Sequence, residues 1–146
     1  MIHLPPKVML LSLVLSLSVY YLFPSVILNI YPYNLLGVPV ILAGFVLTMW
    51  TRQIIESHRT TLDPQGTPSN LITNKAFSFS RNPIYLGQFL ITLGLSVILA
   101  SPLSLIGPIL YFYILNYRVI PTEEKGLYAT FGDKYQDYAT KVNRWI

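Results

Sequence analysis

The sequence contains no cysteine, which excludes disulfides, thiolate metal sites, a cysteine nucleophile and palmitoylation. Charge is scarce too. Only 11% of the 146 residues are Asp, Glu, Lys or Arg, and 53% are hydrophobic, whereas a soluble domain carries roughly a quarter charged residues. Of the two histidines, His3 and His58, neither stands at metal-ligand spacing from the scattered acids. Phosphate-cradling glycine loops and a Ser/His/Asp order are missing as well. The net charge of +4 does not point to nucleic acid, because the basic residues are intermixed with acids and not gathered on one face. An anionic membrane surface accounts for the excess more simply.

The placement of the missing charge predicts the fold. Val8 to Thr51 is a run of 44 residues without Asp, Glu, Lys or Arg, and Asn82 to Tyr117 is a second run of 36. A spanning helix needs about 20 apolar residues to cross about 30 Å of hydrocarbon, so each run holds two crossings and a turn. Pro24 and the stretch Asn29 to Asn34 mark the first turn, and Ser101-Pro102 marks the second, which makes the last two helices a tight hairpin. The expected architecture is an all-α integral membrane domain over 1–146. Its four transmembrane helices run over about 7–30, 35–57, 83–100 and 103–120, with a polar loop at 58–82 and a polar tail at 121–146. Gly87, Gly94 and Ser101 recur at seven-residue spacing on the third helix, as close helix packing in lipid favours.

Every charged residue except Lys7 falls in Arg52 to Arg81 or Arg118 to Arg144, and four crossings put both segments on one side. The positive-inside rule makes that side, and both termini, cytoplasmic. The first helix does not read as a cleavable signal, because no small-residue cleavage site followed by a soluble domain is seen. In the tail, Pro121-Thr122-Glu123-Glu124, a proline followed by two acids, suits a helix N-terminus, and Leu127, Phe131, Tyr135, Tyr138 and Val142 follow at three- and four-residue spacing, the apolar face of an amphipathic helix bent near Gly132-Asp133. Oligomeric state is not legible in the sequence.

Any chemistry belongs to the two charged segments. Glu123 and Glu124, paired with Arg81 at the mouth of the third helix, make a candidate polar cavity at the bilayer boundary, where ionisable groups are costly to hold. Charge placement alone leaves a second reading open, a set of ordinary interfacial ion pairs.

A set of motifs carries a resemblance. They are His58-Arg59-Thr60-Thr61-Leu62-Asp63-Pro64, Leu71-Ile72-Thr73-Asn74, Ser80-Arg81-Asn82-Pro83-Ile84-Tyr85-Leu86-Gly87, Glu123-Glu124-Lys125-Gly126-Leu127, Phe131-Gly132, Tyr135, Tyr138 and Val142 to Ile146. In order and spacing, over about the last 90 residues, the chain resembles the isoprenylcysteine carboxyl methyltransferase and phospholipid methyltransferase superfamily of membrane enzymes. The resemblance implies S-adenosylmethionine as methyl donor, bound in a cytoplasmic pocket, and a lipophilic acceptor admitted from the bilayer. It places Leu71, Arg81, Asn82, Pro83, Tyr85, Gly87 and Glu124 at the cofactor. Glu123 and Glu124 become the acidic pair of the reaction, and Arg144 a basic residue near the acceptor. Two departures stand out. Lys75-Ala76-Phe77 replaces a frequent Gly-Pro-Tyr or Gly-Pro-Phe, which alters a tight turn toward the cofactor. Asn82 stands where the prenylcysteine enzymes usually carry His, which moves the chain toward the broader branches of the superfamily.

Methyl transfer from a sulfonium is an in-line displacement, so the protein's main task is alignment. Carboxylates suit the donor's amino group or ribose hydroxyls, Arg81 its carboxylate, and the Asn82 amide the adenine edge. A carboxylate acceptor requires no proton removal and would be oriented by Arg144; an amine requires one of the acids or His58 to accept a proton. Two further readings stay open: a membrane reductase of the steroid or sterol type that binds NADPH, and a non-enzymatic scaffold.

Overall fold

A computed structural model describes residues 4–57 and 70–146. His3, His58 and the motif that runs on from His58 to Pro64 lie outside the described residues. Within them the chain is all helix and turn, with no strand. Helix α1 spans Leu4–Leu22, α2 Gly37–Ser57 and α3 Pro83–Ile98. A last long helix is built from α4, Ile106–Ile114, a π-turn at Leu115–Val119 and α5, Ile120–Phe131. Helix α6, Asp133–Lys141, ends the series. Three helical segments, Pro5–Leu22, Tyr33–Ser57 and Pro102–Phe131, are long and apolar enough to cross a membrane. Helix α3 is apolar but has 16 residues, about 24 Å at 1.5 Å per residue.

Helix α1 opens with Pro5 and Pro6 in its first turn, where no intrahelical acceptor waits for their absent N–H groups. It stops at Leu22, not at residue 30 as the sequence suggested, because Pro24 cannot continue it. Pro24 instead opens a 3₁₀ turn, Pro24–Val26. The connection then runs back along the far end of the bundle. There the Leu28 amide donates to the Ala100 carbonyl at 2.8 Å and the Asn34 side-chain amide to the Ile98 carbonyl at 3.2 Å. The α3/α4 turn forms at Ser101-Pro102 as expected, with Ala100 at φ 51° and a 3₁₀ turn at Pro102–Leu105 leading into α4.

A larger departure lies at Pro121. It was expected to begin a separate tail helix, yet the helix runs on through it to Phe131. An interior proline removes a donor and crowds the preceding turn, and the π-turn just before it widens the helix where that happens. The Ile120 amide then bonds to the Leu115 carbonyl, five residues back, and Pro121 has no amide to offer. The Asn116 carbonyl thereby loses the donors that α or π geometry would bring it. The bend beyond α5 falls at Gly132, as expected, with φ 53° and ψ −128°, a region closed to residues with a Cβ.

Helices α2 and α3 touch backbone to backbone. A Cβ at Gly44 would meet the Gly87 carbonyl oxygen at 2.5 Å, and one at Gly87 would meet the Gly44 oxygen at 2.6 Å and the Thr48 hydroxyl at 2.3 Å. Seven residues away along each helix, about two turns, Gly37 and Gly94 oppose each other in the same manner. On the other side of α3, Ser16 of α1 donates to the Ser104 carbonyl at 2.8 Å and Ser96 to the same oxygen at 2.9 Å. Without water in the hydrocarbon, close small-residue contact and internal hydrogen bonds hold helices together. Leu10, Val14, Val46, Phe45 and Ile109 point outward, more than half exposed, the face that lipid covers.

Replacing Gly44 by Leu forces the α2 and α3 backbones apart and should lower stability by roughly 1 to 3 kcal/mol or more. Gly126→Ala, where a Cβ meets nothing within 4 Å, should be neutral or slightly stabilising. Thermal unfolding of both variants in detergent measures this; a Gly44→Leu midpoint equal to that of the native chain would contradict the packing.

Candidate functional site

The charged end of the bundle is organised around Glu124, just past the first turn of α5. Arg144 reaches it with two nitrogens, Nη2 to Oε2 at 2.5 Å and Nε to Oε1 at 3.2 Å. Arg81, ahead of α3, approaches the same carboxylate with Nη2 at 3.3 Å from Oε1. One acid thus holds two guanidiniums, with the Glu124 and Arg81 side chains 18% and 16% exposed. That burial separates the trio from the Arg52–Glu56 pair on the surface of α2, which is 59% and 54% exposed.

Backbone bonds put both arginines in place. The Arg81 amide donates to the Asn143 carbonyl at 3.0 Å, and the Asn82 side-chain amide donates to the Arg144 carbonyl at 3.0 Å. Chain end and α3 mouth are therefore laced together, and Pro83, buried, starts the helix directly behind them. The carbonyl and side-chain oxygens of Asn116 accept from Arg144 Nη1 at 3.5 and 3.3 Å, so the carbonyl stripped of donors by the π-turn and Pro121 gains one from the tail. Trp145 donates its indole N–H to the Asn116 side chain at 3.1 Å and stacks on Phe112 with ring centres 4.9 Å apart.

Helix α6 closes the opposite flank. Arg81 Nη1 donates to the Tyr135 hydroxyl at 3.3 Å, and the Tyr138 hydroxyl donates to the Phe77 carbonyl at 2.7 Å. Burial pushes the Tyr138 phenol up to about 12. Burial, and then the Glu124 charge, raise that of Tyr135, against the opposing pull of Arg81. The hydrogen bond to Glu124 raises the Arg144 guanidinium above its ordinary value. Residues expected only to give α6 an apolar face thus carry polar duties as well.

Sequence neighbours Glu123 and Glu124 diverge. Glu123 turns to α3, where the Tyr85 hydroxyl donates to its Oε1 at 2.5 Å. Lys125, the cation nearest to both in sequence, and Arg118, one turn before them, are exposed and pair with neither. Gly87 lies buried against Gly44 and Thr48 of α2, so the space a side chain would take there is already filled. Leu71 is half-buried beside Ile72, which packs with Ile54 and Ala76 near the end of α2. Of the residues singled out in the sequence, Arg81, Asn82, Glu124 and Arg144 converge on one point. Tyr85 and Glu123 form a second pair beside it, and Leu71 and Gly87 belong to neighbouring walls. Lys75, where the resemblance has a frequent glycine, stands at φ 56°, the left-handed geometry that glycine adopts without cost.

Asn116, Tyr135, Tyr138 and Trp145 were not anticipated as polar partners. For Asn116 a signal existed in retrospect, a lone amide five residues ahead of a proline inside an apolar run. The tyrosines and Trp145 offered none, since their spacing reads as packing.

Residues 33–134 match the family model described as phospholipid methyltransferase. The protein-S-isoprenylcysteine O-methyltransferase of Xenopus laevis is 36% identical over 72 residues, 49% of this chain and 25% of that protein. That of Saccharomyces cerevisiae is 36% identical over 72 residues, 49% of this chain and 30% of that protein. An uncharacterized protein of Haemophilus influenzae is 36% identical over 63 residues, 43% of this chain and 100% of that protein. Among solved structures, the eukaryotic intramembrane Ras methyltransferase, isoprenylcysteine carboxyl methyltransferase, superposes with a TM-score of 0.74 and 25% identity, over 97% of this chain and 51% of that one. The matched stretch is thus a quarter to a third of the two named methyltransferases and about half of the solved chain.

A double-mutant cycle on Arg144→Ala and Glu124→Ala should give a coupling energy of roughly 1 to 3 kcal/mol. The same cycle on the exposed Arg52–Glu56 pair should give no more than about 0.5 kcal/mol. Equal couplings would mean that the trio is an ordinary surface contact.

Proposed function

This chain belongs to the phospholipid methyltransferase family, and from that premise we propose that it transfers a methyl group from S-adenosylmethionine to a lipid-like or isoprenoid acceptor at the cytoplasmic face of a membrane. Support comes first from relatives whose names describe O-methyl transfer to isoprenylcysteine. The observation that carries the reading on this chain's own residues is Arg81. Its Nε–H is buried and has no acceptor among the described residues, although its other two nitrogens contact Tyr135 and Glu124. An orphaned guanidinium N–H is costly to keep and calls for an anionic partner. The donor's carboxylate fits that requirement, so the residues present suit the group.

When bound, S-adenosylmethionine supplies a methyl carbon activated by its sulfonium. Arg81 binds the carboxylate, and Glu124, once released from one guanidinium, accepts from the amino group or the ribose hydroxyls. Asn82, Pro83 and Tyr85 line the same mouth, while Leu71 and Gly87 shape the walls behind it. Arg144 bridges the site and the apolar Trp145–Phe112 stack, a position from which it orients a carboxylate acceptor. Glu123 accepts a proton where the acceptor carries one. Because Glu124 now pairs with both guanidiniums, ligand entry exchanges an internal ion pair for an equivalent one, which limits the desolvation cost. Fixed alignment is then the chief source of rate, roughly 7 to 11 kcal/mol at its upper limit.

The NADPH-reductase reading is not favoured, because the named relatives are methyltransferases. The scaffold reading gives the orphaned Arg81 nitrogen nothing to bind. Titration of the purified protein with S-adenosylmethionine should show saturable binding that Glu124→Gln abolishes while the helical content is kept. Binding of NADPH alone, or an affinity for the donor that Glu124→Gln leaves unchanged, would reject the proposal. A reporter fused after Ile146 should register on the cytoplasmic side; an external signal would reverse the proposed orientation.

A further inference from the structure

Arg144 is held from two sides that differ in kind. Glu124 takes its Nε and Nη2, but the same carboxylate also draws Arg81 at 3.3 Å. An acceptor on a rotatable side chain, shared by two cations, can follow either of them. The third nitrogen, Nη1, goes to Asn116, 3.5 Å from the backbone carbonyl and 3.3 Å from the side-chain Oδ1. A helical backbone carbonyl has no rotamers, so of these partners it is the one with a fixed position.

Two neighbouring features keep that carbonyl open. In α geometry it would accept from the Ile120 amide, but at the π-turn that amide bonds to Leu115 instead. In π geometry it would accept from residue 121, and Pro121 has no N–H. Turns of this kind inside α-helices recur at functional sites. The Asn116 side chain completes the grip, since its Oδ1 also accepts from the Trp145 indole at 3.1 Å. Phe112, one turn earlier on the same face, stacks on the Trp145 ring. One face of the long helix therefore holds two successive residues of the tail, and the polar side chain on it, which an apolar span carries at a cost, is matched by both.

We propose that Asn116 is a positioning residue for Arg144: it sets the tilt and depth of the guanidinium between Glu124 and the Trp145–Phe112 wall, and Pro121 preserves the arrangement by withholding an amide from the carbonyl that Arg144 uses. The proposal rests on the methyl-transfer reading in that Arg144 works at the acceptor's side of the site, and it adds the residues that hold it there. Glu124 alone leaves the guanidinium free to pivot with the carboxylate, whereas a misplacement of about 1 Å can cost on the order of a hundredfold in rate.

Unfolding of the full chain in mixed dodecyl sulfate and maltoside micelles tests this. Glu124→Ala and Arg144→Ala, singly and together, give the coupling of the pair, and the cycle is repeated with Asn116→Leu and with Pro121→Ala in the background. On the native chain the coupling should be roughly fivefold or more in the unfolding equilibrium, and with Asn116→Leu it should fall to about twofold or less. Pro121→Ala returns an amide beside the Asn116 carbonyl, so it should weaken the coupling while stability stays equal or rises, opposite signs that a proline with a merely structural role would not give. If Asn116→Leu does not fold, Pro121→Ala decides alone. Hydrogen exchange of the Trp145 indole N–H, read by NMR against that of Trp50, which is 43% exposed, should quicken roughly tenfold in Asn116→Leu and return toward the native rate in Asn116→Asp, which keeps the accepting oxygen. Coupling undiminished in either background, or indole exchange that Asn116→Asp does not restore, overturns the proposal. Titrating S-adenosylmethionine into the native chain separates the two readings. Donor binding with a coupling indifferent to Asn116 removes this inference alone, whereas a coupling that depends on Asn116 without donor binding removes the methyl-transfer reading and leaves Asn116 holding Arg144.

Discussion

Glu124 is the one charged group through which three parts of the chain meet among the described residues. Its carboxylate holds Arg81 from the mouth of α3 and Arg144 from the chain end while it rides on the long helix that crosses the bundle. Taking three charged side chains largely out of water costs several kcal/mol per ion before any pairing, so the arrangement survives only because each group is met by others. The tail's carbonyls, the π-turn and α6 all follow from that need. Each supplies a donor or acceptor that the central carboxylate does not. Remove the acid, and two guanidiniums face each other across a space of a few ångströms.

The helices beneath supply rigidity without polar expense. The Gly37–Gly94 and Gly44–Gly87 contacts bring α2 and α3 together at backbone distance, and the serine bonds from Ser16 and Ser96 to Ser104 tie α1, α3 and the α4 entrance together. Such contacts have little lateral slack, because a packed interface with no side chain between the backbones cannot shear without collision. The third helix is therefore a firm mount, and Arg81, Asn82 and Tyr85 inherit that firmness at its mouth. Tyr85 reaches one acid and Arg81 the other, so the mouth of α3 addresses both halves of the site.

Much of this was legible in the residues. The two charge-free runs located the apolar helices, the Ser101-Pro102 break located their hairpin, and the seven-residue stripe of Gly87 and Gly94 announced close packing. Its partners Gly37 and Gly44 went unremarked, since a stripe on one helix does not name the surface it meets. Convergence of Arg81, Glu124 and Arg144 was foreshadowed by motif resemblance, but the divergence of Glu123 was not. Neighbouring residues on a helix project about 100° apart, and only the rotation of α5 about its axis decides which acid meets which wall. Pro121 misled for a physical reason: local rules treat proline as a helix start, whereas here a π-turn absorbed it and handed the spare Asn116 carbonyl to Arg144. Periodicity finds which face of a helix is apolar; it does not find such long-range exchanges of donors.

The account depends most directly on Glu124 holding the chain end against the mouth of α3. Hydrogen exchange of the Arg81 backbone amide, whose acceptor is the Asn143 carbonyl, reports that contact at single-residue level. In the native protein the amide should be strongly protected, and Glu124→Gln should strip that protection while leaving the α2 and α3 amides at Gly44 and Gly87 unaffected. An Arg81 amide that exchanges freely in the native chain, or stays equally protected in Glu124→Gln, would contradict the central role given to this ion-paired acid.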